Sequence, residues 1–364
     1  MRAFVTSPRA ARRVAARAVV VLAAATLVGC GGDDGTPDAG PTPTADAATD
    51  ASGSKAPSRT ARAATPPAPG TCRPVSSGPT TATVRWQAGD VRRYALETSM
   101  SVGVGDPIEG AGRVEVRVQR RTSDGWRVRW TFSDMTSSTP GAADDPASGD
   151  DPDDAGGSYL VKAGDQRIEI GTDRHGAMTG ITGGLDALRR AHAKAVRDAF
   201  GEGKGAGDLS AEDRAEIDRV ATQASAAPVV ETEARASVEP FTRAYLGRLD
   251  RLTDRASDVE VATMFGGPVH ARREVRIVER RDPGGCLVVQ VTDRLDPESM
   301  SAAMLEHFRA AGQSPSDDDV MGTTTQRGRY TIDPTTGWLV RAAVSFTGTD
   351  DDGTLTMRSV LTAR

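Results

Sequence analysis

The sequence has few of the residues from which catalytic centres and metal sites are usually built. It contains three cysteines and four histidines, and the histidines occur without H-E-x-x-H or any other metal-ligand spacing. No G-x-S-x-G, P-loop or dinucleotide-binding motif occurs. We therefore predict a protein that is not an enzyme, with no catalytic residue, no metal site and no cofactor.

Acidic residues outnumber basic ones once residues 1–29 are set aside. Those residues hold five arginines and no acid, so the rest of the chain has 40 of the 45 basic residues against all 50 acidic ones, a net charge of about −10. Such a charge argues against nucleic acid as a partner and against a polybasic patch that binds membranes. After residue 29 the sequence contains no apolar run long enough for a transmembrane helix.

One apolar run, Ala18–Leu27, follows the five arginines and is too short to span a bilayer. A basic region, an apolar run and a small residue in this order are typical of a secretory signal. The run ends in Leu27-Val28-Gly29-Cys30, which resembles the lipobox of bacterial lipoproteins. The alternative is a short N-terminal helix of the folded domain, but that helix would be apolar all round and would run straight into glycines.

The resemblance implies a lipoprotein signal peptide over residues 1–29 and a mature chain that begins at a lipidated Cys30. In such lipoproteins a peptidase cuts before the cysteine, and the cysteine then carries acyl chains such as palmitate. Two acyl chains bind a membrane stably, whereas one binds it only marginally. We therefore expect an extracytoplasmic protein of the cell envelope that is anchored to a bacterial membrane, plasma or outer, through Cys30.

Residues 30–79 are predicted to be the lipidated cysteine and a disordered tether, because Asp, Gly, Pro, Thr, Ser and Ala dominate them. Beyond Cys30 the sequence has two further cysteines, Cys72 and Cys286. Export would place both in an oxidising compartment, so we favour a disulfide bond between them. The alternative is two free thiols, one of them buried.

The segment 80–364 reads mainly as β-strands. Apolar and polar residues alternate in several runs, as in Trp126–Phe132, and this period is typical of antiparallel strands with one buried face. Asp124 and Gly125 separate two runs and fit a tight turn, since Gly tolerates positive φ. Helical spacing occurs in the middle of the segment and again after Asp296. The sequence thus predicts a single α+β domain, with a large curved antiparallel sheet and helices packed on one face.

Residues 138–157 interrupt the strand pattern with six aspartates and no basic residue. A calcium-binding loop is one interpretation, but the acids lack the alternating oxygen ligands and the closing glutamate of an EF-hand. We therefore predict a disordered acidic insertion at 138–157.

The order of elements resembles the half-barrel of bacterial lipoprotein carriers of the LolA type and of related mycobacterial lipid-binding lipoproteins. A lipobox, a tether, a curved antiparallel sheet and helices across it follow one another in both. The hairpin Tyr330–Trp338 is also similar to turns in that group and in exported bacterial proteins of unknown function. The resemblance implies a half-barrel in which sheet and helices enclose an apolar ligand, and it assigns no functional residue.

Aromatic side chains on the apolar sheet face would lie opposite small residues of the helices and leave space between them. The residues expected around such an apolar cavity are Trp126, Trp130, Phe132, Ala195, Trp338 and Phe346. Close helix–sheet packing is the alternative use of the small residues. Two functions follow: a non-catalytic binding protein for an apolar or lipid-like ligand, or a cell-envelope scaffold that contacts other proteins through the polar sheet face.

Overall fold

The computed structural model describes residue 72 and residues 82–103, 107–138, 166–201, 210–247, 254–263, 268–279, 285–310, 322–350 and 353–364. The predicted signal peptide, Cys30 and the tether apart from Cys72 lie outside the described residues, as do residues 139–157 of the predicted acidic insertion. Within the described part, no helix is both long and apolar enough to cross a membrane.

Eleven strands of the described residues form one antiparallel sheet. In chain order they are β1 (Val91–Val102), β2 (Ile108–Arg121), β3 (Gly125–Ser138), β4 (Gln166–Asp173), β5 (Met178–Gly183), β6 (Arg255–Ala262), β7 (Pro268–Glu279), β8 (Leu287–Leu295), β9 (Thr324–Ile332), β10 (Leu339–Asp350) and β11 (Gly353–Ala363). Across the sheet the order is β5-β4-β3-β2-β1-β11-β10-β9-β8-β7-β6, so the sheet is open, with β5 and β6 at its edges. The predicted α+β class with a large antiparallel sheet is confirmed.

Four α-helices of the described residues complete the fold: α1 (Leu185–Gly201), α2 (Ala211–Ala224), α3 (Ala227–Thr242) and α4 (Pro297–Ala310). A 3-10 helix, Arg243–Gly247, follows α3 directly. Helices α1, α2 and α3 lie in the chain between β5 and β6, which are the two edge strands. This helical segment therefore has to connect opposite edges of the sheet.

The first and last strands of the sheet meet at its centre. β1 pairs with β2 on one side and with β11 on the other, so that Tyr94 lies opposite both Val114 and Ala363. Each other pair joins strands that are consecutive in the chain. Short connections therefore set most of the register, and one long-range pairing joins the two halves.

Strand alternation separates an inner, apolar face from an outer, polar face. On β3 the side chains of Trp126, Val128 and Trp130 are buried on the inner face, and Arg127 and Arg129 alternate with them on the outer face. Helix α3 contacts the inner face, because the ring of Phe241 stacks on that of Trp130 with their centroids 6.2 Å apart.

The β2–β3 hairpin forms where the sequence predicts it, but Gly125 is needed for a different reason. Its backbone is not in the positive-φ region. Instead, a side chain at this position would collide with the carbonyl oxygen of Thr172 on the neighbouring β4. The close approach of a second strand therefore requires glycine here.

Candidate functional site

A partly open cavity of about 130 Å³ lies between the inner face of the sheet and α3. Leu96, Phe132 and Phe346 are among the residues that line it from the sheet, and Ala236 and Phe241 are among those that line it from α3. Most of the exposed area of the wall is apolar, although polar residues such as Gln166, Ser237 and Gln326 also line it. Such a wall suits an apolar molecule that is fixed by a small number of polar contacts.

The cavity exists because small side chains meet in one row of the sheet. Thr98 on β1 pairs with Ser359 on β11, and Ser359 pairs with Val344 on β10, so three short side chains follow one another across the inner face. On the opposite side, α3 presents Ala236 and Ser237 to the same space. Along this row the side chains of both layers are short, which leaves space between them.

Tyr330 on β9 fixes the end of α3 above the sheet. Its hydroxyl donates a hydrogen bond of 2.5 Å to the carbonyl oxygen of Pro240. The ring occupies the space that a side chain at Gly328 would need, so glycine at that position allows this contact. Burial raises the pKa of Tyr330, which keeps the hydroxyl protonated as a donor.

Buried charges border the cavity near the same end of α3. Arg273 on β7 donates two hydrogen bonds to Asp293 on β8, of 2.6 and 2.9 Å. Burial alone would lower the pKa of Arg273, but its hydrogen bonds with Asp293 and the charge of that carboxylate raise the pKa above its ordinary value. Arg243 lies in the cavity wall, 3.2 Å from the same carboxylate, and donates to the side-chain oxygen of Gln326. Both arginines are therefore paired inside the protein.

Glu233 of α3 adds a carboxylate to the cavity wall. Its side chain is 7% exposed, and Nδ1 of His192 on α1 lies 3.0 Å from its Oε2 atom. This contact has an ion-pair distance without the alignment of a hydrogen bond, and Oε2 has no hydrogen-bond partner within the described part of the chain. The carboxylate of Glu233 is therefore held between α3 and α1, beside His192.

The structure places two of the six predicted cavity residues, Phe132 and Phe346, in the cavity wall. Trp130 lies behind the wall and stacks on Phe132 and Phe241, with centroid distances of 6.4 and 6.2 Å. Ala195 is half-buried on α1 and does not line this cavity. The space lies under α3, because α3 is the helix whose small side chains face the row of short residues.

Trp126 and Trp338 lie in a separate aromatic cluster and do not line this cavity. Both contact Trp86, with ring centroids 5.6 and 4.8 Å away, and Tyr245 packs on the same ring at 5.4 Å. Their position on the apolar face agrees with the alternation of the sequence. Trp86 fills the space beside them, which the alternation cannot show.

Cys72 and Cys286 form a disulfide bond that joins positions 214 residues apart, with their Cα atoms at 5.3 Å. Both residues are buried. Cys286 directly precedes β8, and Sγ of Cys72 lies 3.8 Å from the carbonyl oxygen of Ile332, the last residue of β9. The bond therefore attaches the segment before the sheet to the ends of two strands.

The polar residues at this site are difficult to recognise from the sequence. Arg243 stands two positions after Phe241 and two before Tyr245, in a stretch whose apolar spacing predicts a helix. Glu233 and Asp293 look like ordinary surface acids in the sequence. Their burial follows from the packing of α3 against α1 and of the 3-10 helix against the sheet, and residue spacing alone does not contain that information.

A scan against protein-family models and a search of curated proteins found no match for this chain. In the part of the chain that the structure describes, no group of three or more His, Cys, Asp and Glu side chains is placed to hold a metal ion. The cavity and its polar groups are the features on which a functional proposal can rest.

Proposed function

We propose that this protein is a membrane-anchored extracytoplasmic lipoprotein that binds an apolar, lipid-like ligand and catalyses no reaction. The observation that carries the proposal is the mainly apolar cavity between the sheet and α3. The N-terminal stretch Leu27–Cys30 supports lipid anchoring. The disulfide between Cys72 and Cys286 supports export to an oxidising compartment.

The proposal includes a half-barrel in which the helical segment lies across the inner face of a curved sheet, as in the lipoprotein carriers that the sequence resembles. Contacts of α3 with both halves of the sheet support it. Phe241 stacks on Trp130 of β3, and Pro240 accepts the hydrogen bond from Tyr330 of β9. In this arrangement α3 is the wall that a ligand must pass or displace.

Filling the cavity tests the binding proposal. Ala236→Trp adds a large ring to the α3 side of the cavity, and Ser359→Leu fills it from the sheet side. Both variants should lose binding of the uncharged apolar fluorophore N-phenyl-1-naphthylamine, measured by its fluorescence increase. Ala227→Trp is the matched control, because Ala227 is exposed on the same helix. Unchanged binding in both folded cavity variants would exclude this cavity as the site.

Anchoring is tested separately from ligand binding. Cys30→Ala removes the thiol to which lipid would be attached, so the protein should move from the membrane fraction to the soluble fraction of fractionated cells. A mass spectrum of the mature N-terminus should give a lipidated cysteine for the unaltered protein. Full membrane retention of Cys30→Ala would reject the lipid anchor and leave the cavity proposal standing.

A scaffold that binds an acidic envelope protein is the second candidate, and an arginine cluster on the outer face favours it. Arg327, Arg329, Arg341 and Arg358 are exposed on β9, β10 and β11, and none forms an ion pair within the described part of the chain. Some other outer-face arginines are paired, as Arg272 is with Asp258 at 3.0 Å. Unpaired surface charge of this kind favours an oppositely charged partner.

Charge reversal tests the scaffold. A photo-crosslinker at Ser345, which pairs with both Arg327 and Arg358, should capture one defined envelope protein if the arginine cluster is an interface. Arg327→Glu with Arg358→Glu should abolish that crosslink, whereas Arg272→Glu should leave it unchanged. A crosslink pattern that is insensitive to both changes would reject the scaffold.

A further inference from the structure

A groove of about 400 Å³ crosses the outer face of the sheet, on the side away from α3 and the apolar cavity. Val360 of β11 lines this groove and is only 6% exposed, although it alternates with the inner-face residues Ser359 and Leu361. Longer side chains around Val360 therefore form walls, and Val360 and Ala111 of β2 form a low apolar floor between them. A small molecule in the groove would contact this floor and the polar walls together.

The two ends of the groove carry opposite charges. Glu97 of β1 and Glu109 of β2 line one end, and Arg358 of β11 and Arg341 of β10 line the other. Ser99 lies between the ends, because it pairs with Glu109 on one side and with Arg358 on the other. The backbones at Glu109 and Arg358 are thus two strand spacings apart, which is about 10 Å.

These four charges stay separate, whereas several carboxylates elsewhere on the outer face pair with arginine. Glu169 has Arg129 at 2.7 Å, and Glu274 has Arg294 at 2.6 Å. In the part of the chain that the structure describes, none of the four charged groups of the groove forms an ion pair. Positive and negative groups that do not neutralise each other favour a ligand that itself carries both charges.

Other charges near the groove leave this polarity intact. Arg113, which follows Ala111 on the same face of β2, is paired with Asp134 at 3.1 Å. Arg327 and Arg329 are exposed on β9, the strand next to β10, and add positive charge beyond the arginine end. A ligand with one anionic and one cationic end therefore has a single favourable orientation.

We propose that this groove binds a short peptide with free ends, whose carboxylate lies at Arg341 and Arg358 and whose ammonium group lies at Glu97 and Glu109. Guanidinium groups bind carboxylates through pairs of N–H donors, and an ammonium group donates to carboxylate oxygens. Three residues of extended chain span about 10 Å, which matches the two strand spacings between the ends. The inference goes beyond the apolar ligand proposed for the inner cavity and does not depend on it.

Neutral polar groups between the charged ends also suit a peptide. Ser99 and Thr136 line the middle of the groove, and their hydroxyls can donate to a peptide carbonyl or accept from a peptide N–H. A lipid head group such as ethanolamine phosphate also carries both charges, but only a few bonds apart. It is too short to reach both ends of the groove at once.

Trialanine and its blocked forms test the two ends separately. Isothermal titration calorimetry of the full chain carrying Cys30→Ala gives dissociation constants for trialanine, N-acetyl-trialanine, trialanine amide and ethanolamine phosphate. We expect saturable binding of trialanine. Each blocked form should bind about three- to tenfold more weakly, because it loses its contacts with two side chains of opposite charge. Ethanolamine phosphate should also bind more weakly than trialanine.

Paired substitutions assign each end to its residues. Glu97→Gln with Glu109→Gln should abolish the preference for trialanine over N-acetyl-trialanine and keep the preference over the amide. Arg341→Gln with Arg358→Gln should have the opposite effect. Arg272→Gln, at an exposed outer-face position of β7, is the control and should change neither preference.

The possible results distinguish the peptide from other ligands. No saturable binding of trialanine up to about 10 mM would overturn the inference. Equal binding of trialanine and its N-acetyl form would also overturn it and leave the arginines to the acidic partner of the scaffold candidate. Ethanolamine phosphate that binds as tightly as trialanine would assign the groove to a head group instead. Preferences that persist in both folded double variants would place the peptide elsewhere, and every one of these failures leaves the inner-cavity proposal standing.

Discussion

The hydroxyl of Tyr330 holds the end of α3 to the sheet, and its removal has a defined cost. Tyr330→Phe leaves the ring in place but deletes the hydrogen bond to Pro240 and leaves a partly buried carbonyl oxygen without that donor. The free energy of unfolding should fall by about 1 to 3 kcal/mol. Urea denaturation followed by tryptophan fluorescence measures it. Thr362→Ala, at an exposed position of β11, should change stability by less than about 0.5 kcal/mol. An equal effect of both changes would contradict the role of the hydroxyl.

Single residues also mark the limit of what the sequence predicts. Alternation places Phe132, Trp126 and Trp338 on the apolar face, and all three are buried. It does not distinguish Phe132, which lines the cavity, from the two tryptophans, which pack on Trp86. That distinction depends on which residue lies opposite each ring, and opposing residues come from distant parts of the chain.

At the scale of elements, the β3–β4 pair is joined on its outer face by a hydrogen-bonded ion pair. Arg129 donates to Glu169 at 2.7 and 3.0 Å, and this bond holds the pKa of the Glu169 carboxyl below its ordinary value. Because the folded-state pKa is lowered, the stabilisation is present above the ordinary glutamate range and is lost as pH falls through the lowered pKa.

Glu169→Gln should therefore remove part of the acid sensitivity of the fold. At neutral pH the variant should be less stable by about 0.5 to 1 kcal/mol, a small value because the pair is partly exposed to water. The two unfolding free energies should converge as pH falls below the glutamate range, as measured by urea denaturation across pH. Glu260→Gln, exposed on edge strand β6, should have no effect at neutral pH. A difference that persists undiminished in acid would contradict the ion-pair explanation.

Helices and strands could be predicted wherever the apolar residues of a segment followed a single period, two for a strand or about 3.6 for a helix. Alternation of apolar and polar residues marks β1, β2 and β3, and helical spacing marks α1 and α2. The spacing of Phe241, Tyr245, Leu249 and Leu252 predicts a helix that begins where α3 ends, so α3 itself was missed. β6 was missed, because its sequence Arg255–Ala262 has only a weak alternation and begins with polar residues. It forms by pairing with β7 along its full length, from Arg255 opposite Val275 to Ala262 opposite Pro268. A strand that forms because it pairs with its neighbour can have only weak alternation of apolar and polar residues in its own sequence.

For the whole molecule, the disulfide is the longest covalent constraint. Cys72→Ser with Cys286→Ser should lower the free energy of unfolding by about 2 to 5 kcal/mol, because the bond closes a long loop in the unfolded chain. Urea denaturation of the full chain, with and without a reducing agent, measures this loss. The double variant should show no further effect of the reductant. Identical midpoints for the unaltered and double-variant proteins would contradict a stabilising bond.

The general architecture could be predicted from the sequence, but the position of the cavity could not. Turn residues between alternating runs require an antiparallel sheet, and a sheet with one apolar face requires a cover. Three helices carry small residues, so the sequence alone does not identify the helix above the open space. The cavity lies under α3 because Pro240 contacts Tyr330 and because α3 faces a row of short side chains, Thr98, Ser359 and Val344.

Native mass spectrometry of the full chain, extracted gently from its own membrane, tests the central claim most directly. If the cavity holds an apolar ligand, the spectrum should contain the protein together with a bound molecule that organic solvent removes. Ala236→Trp should be recovered folded and without that molecule, whereas Ala227→Trp should retain it. A spectrum of ligand-free protein under all extraction conditions, or a bound molecule that persists in folded Ala236→Trp, would contradict the assignment of this cavity as a binding site.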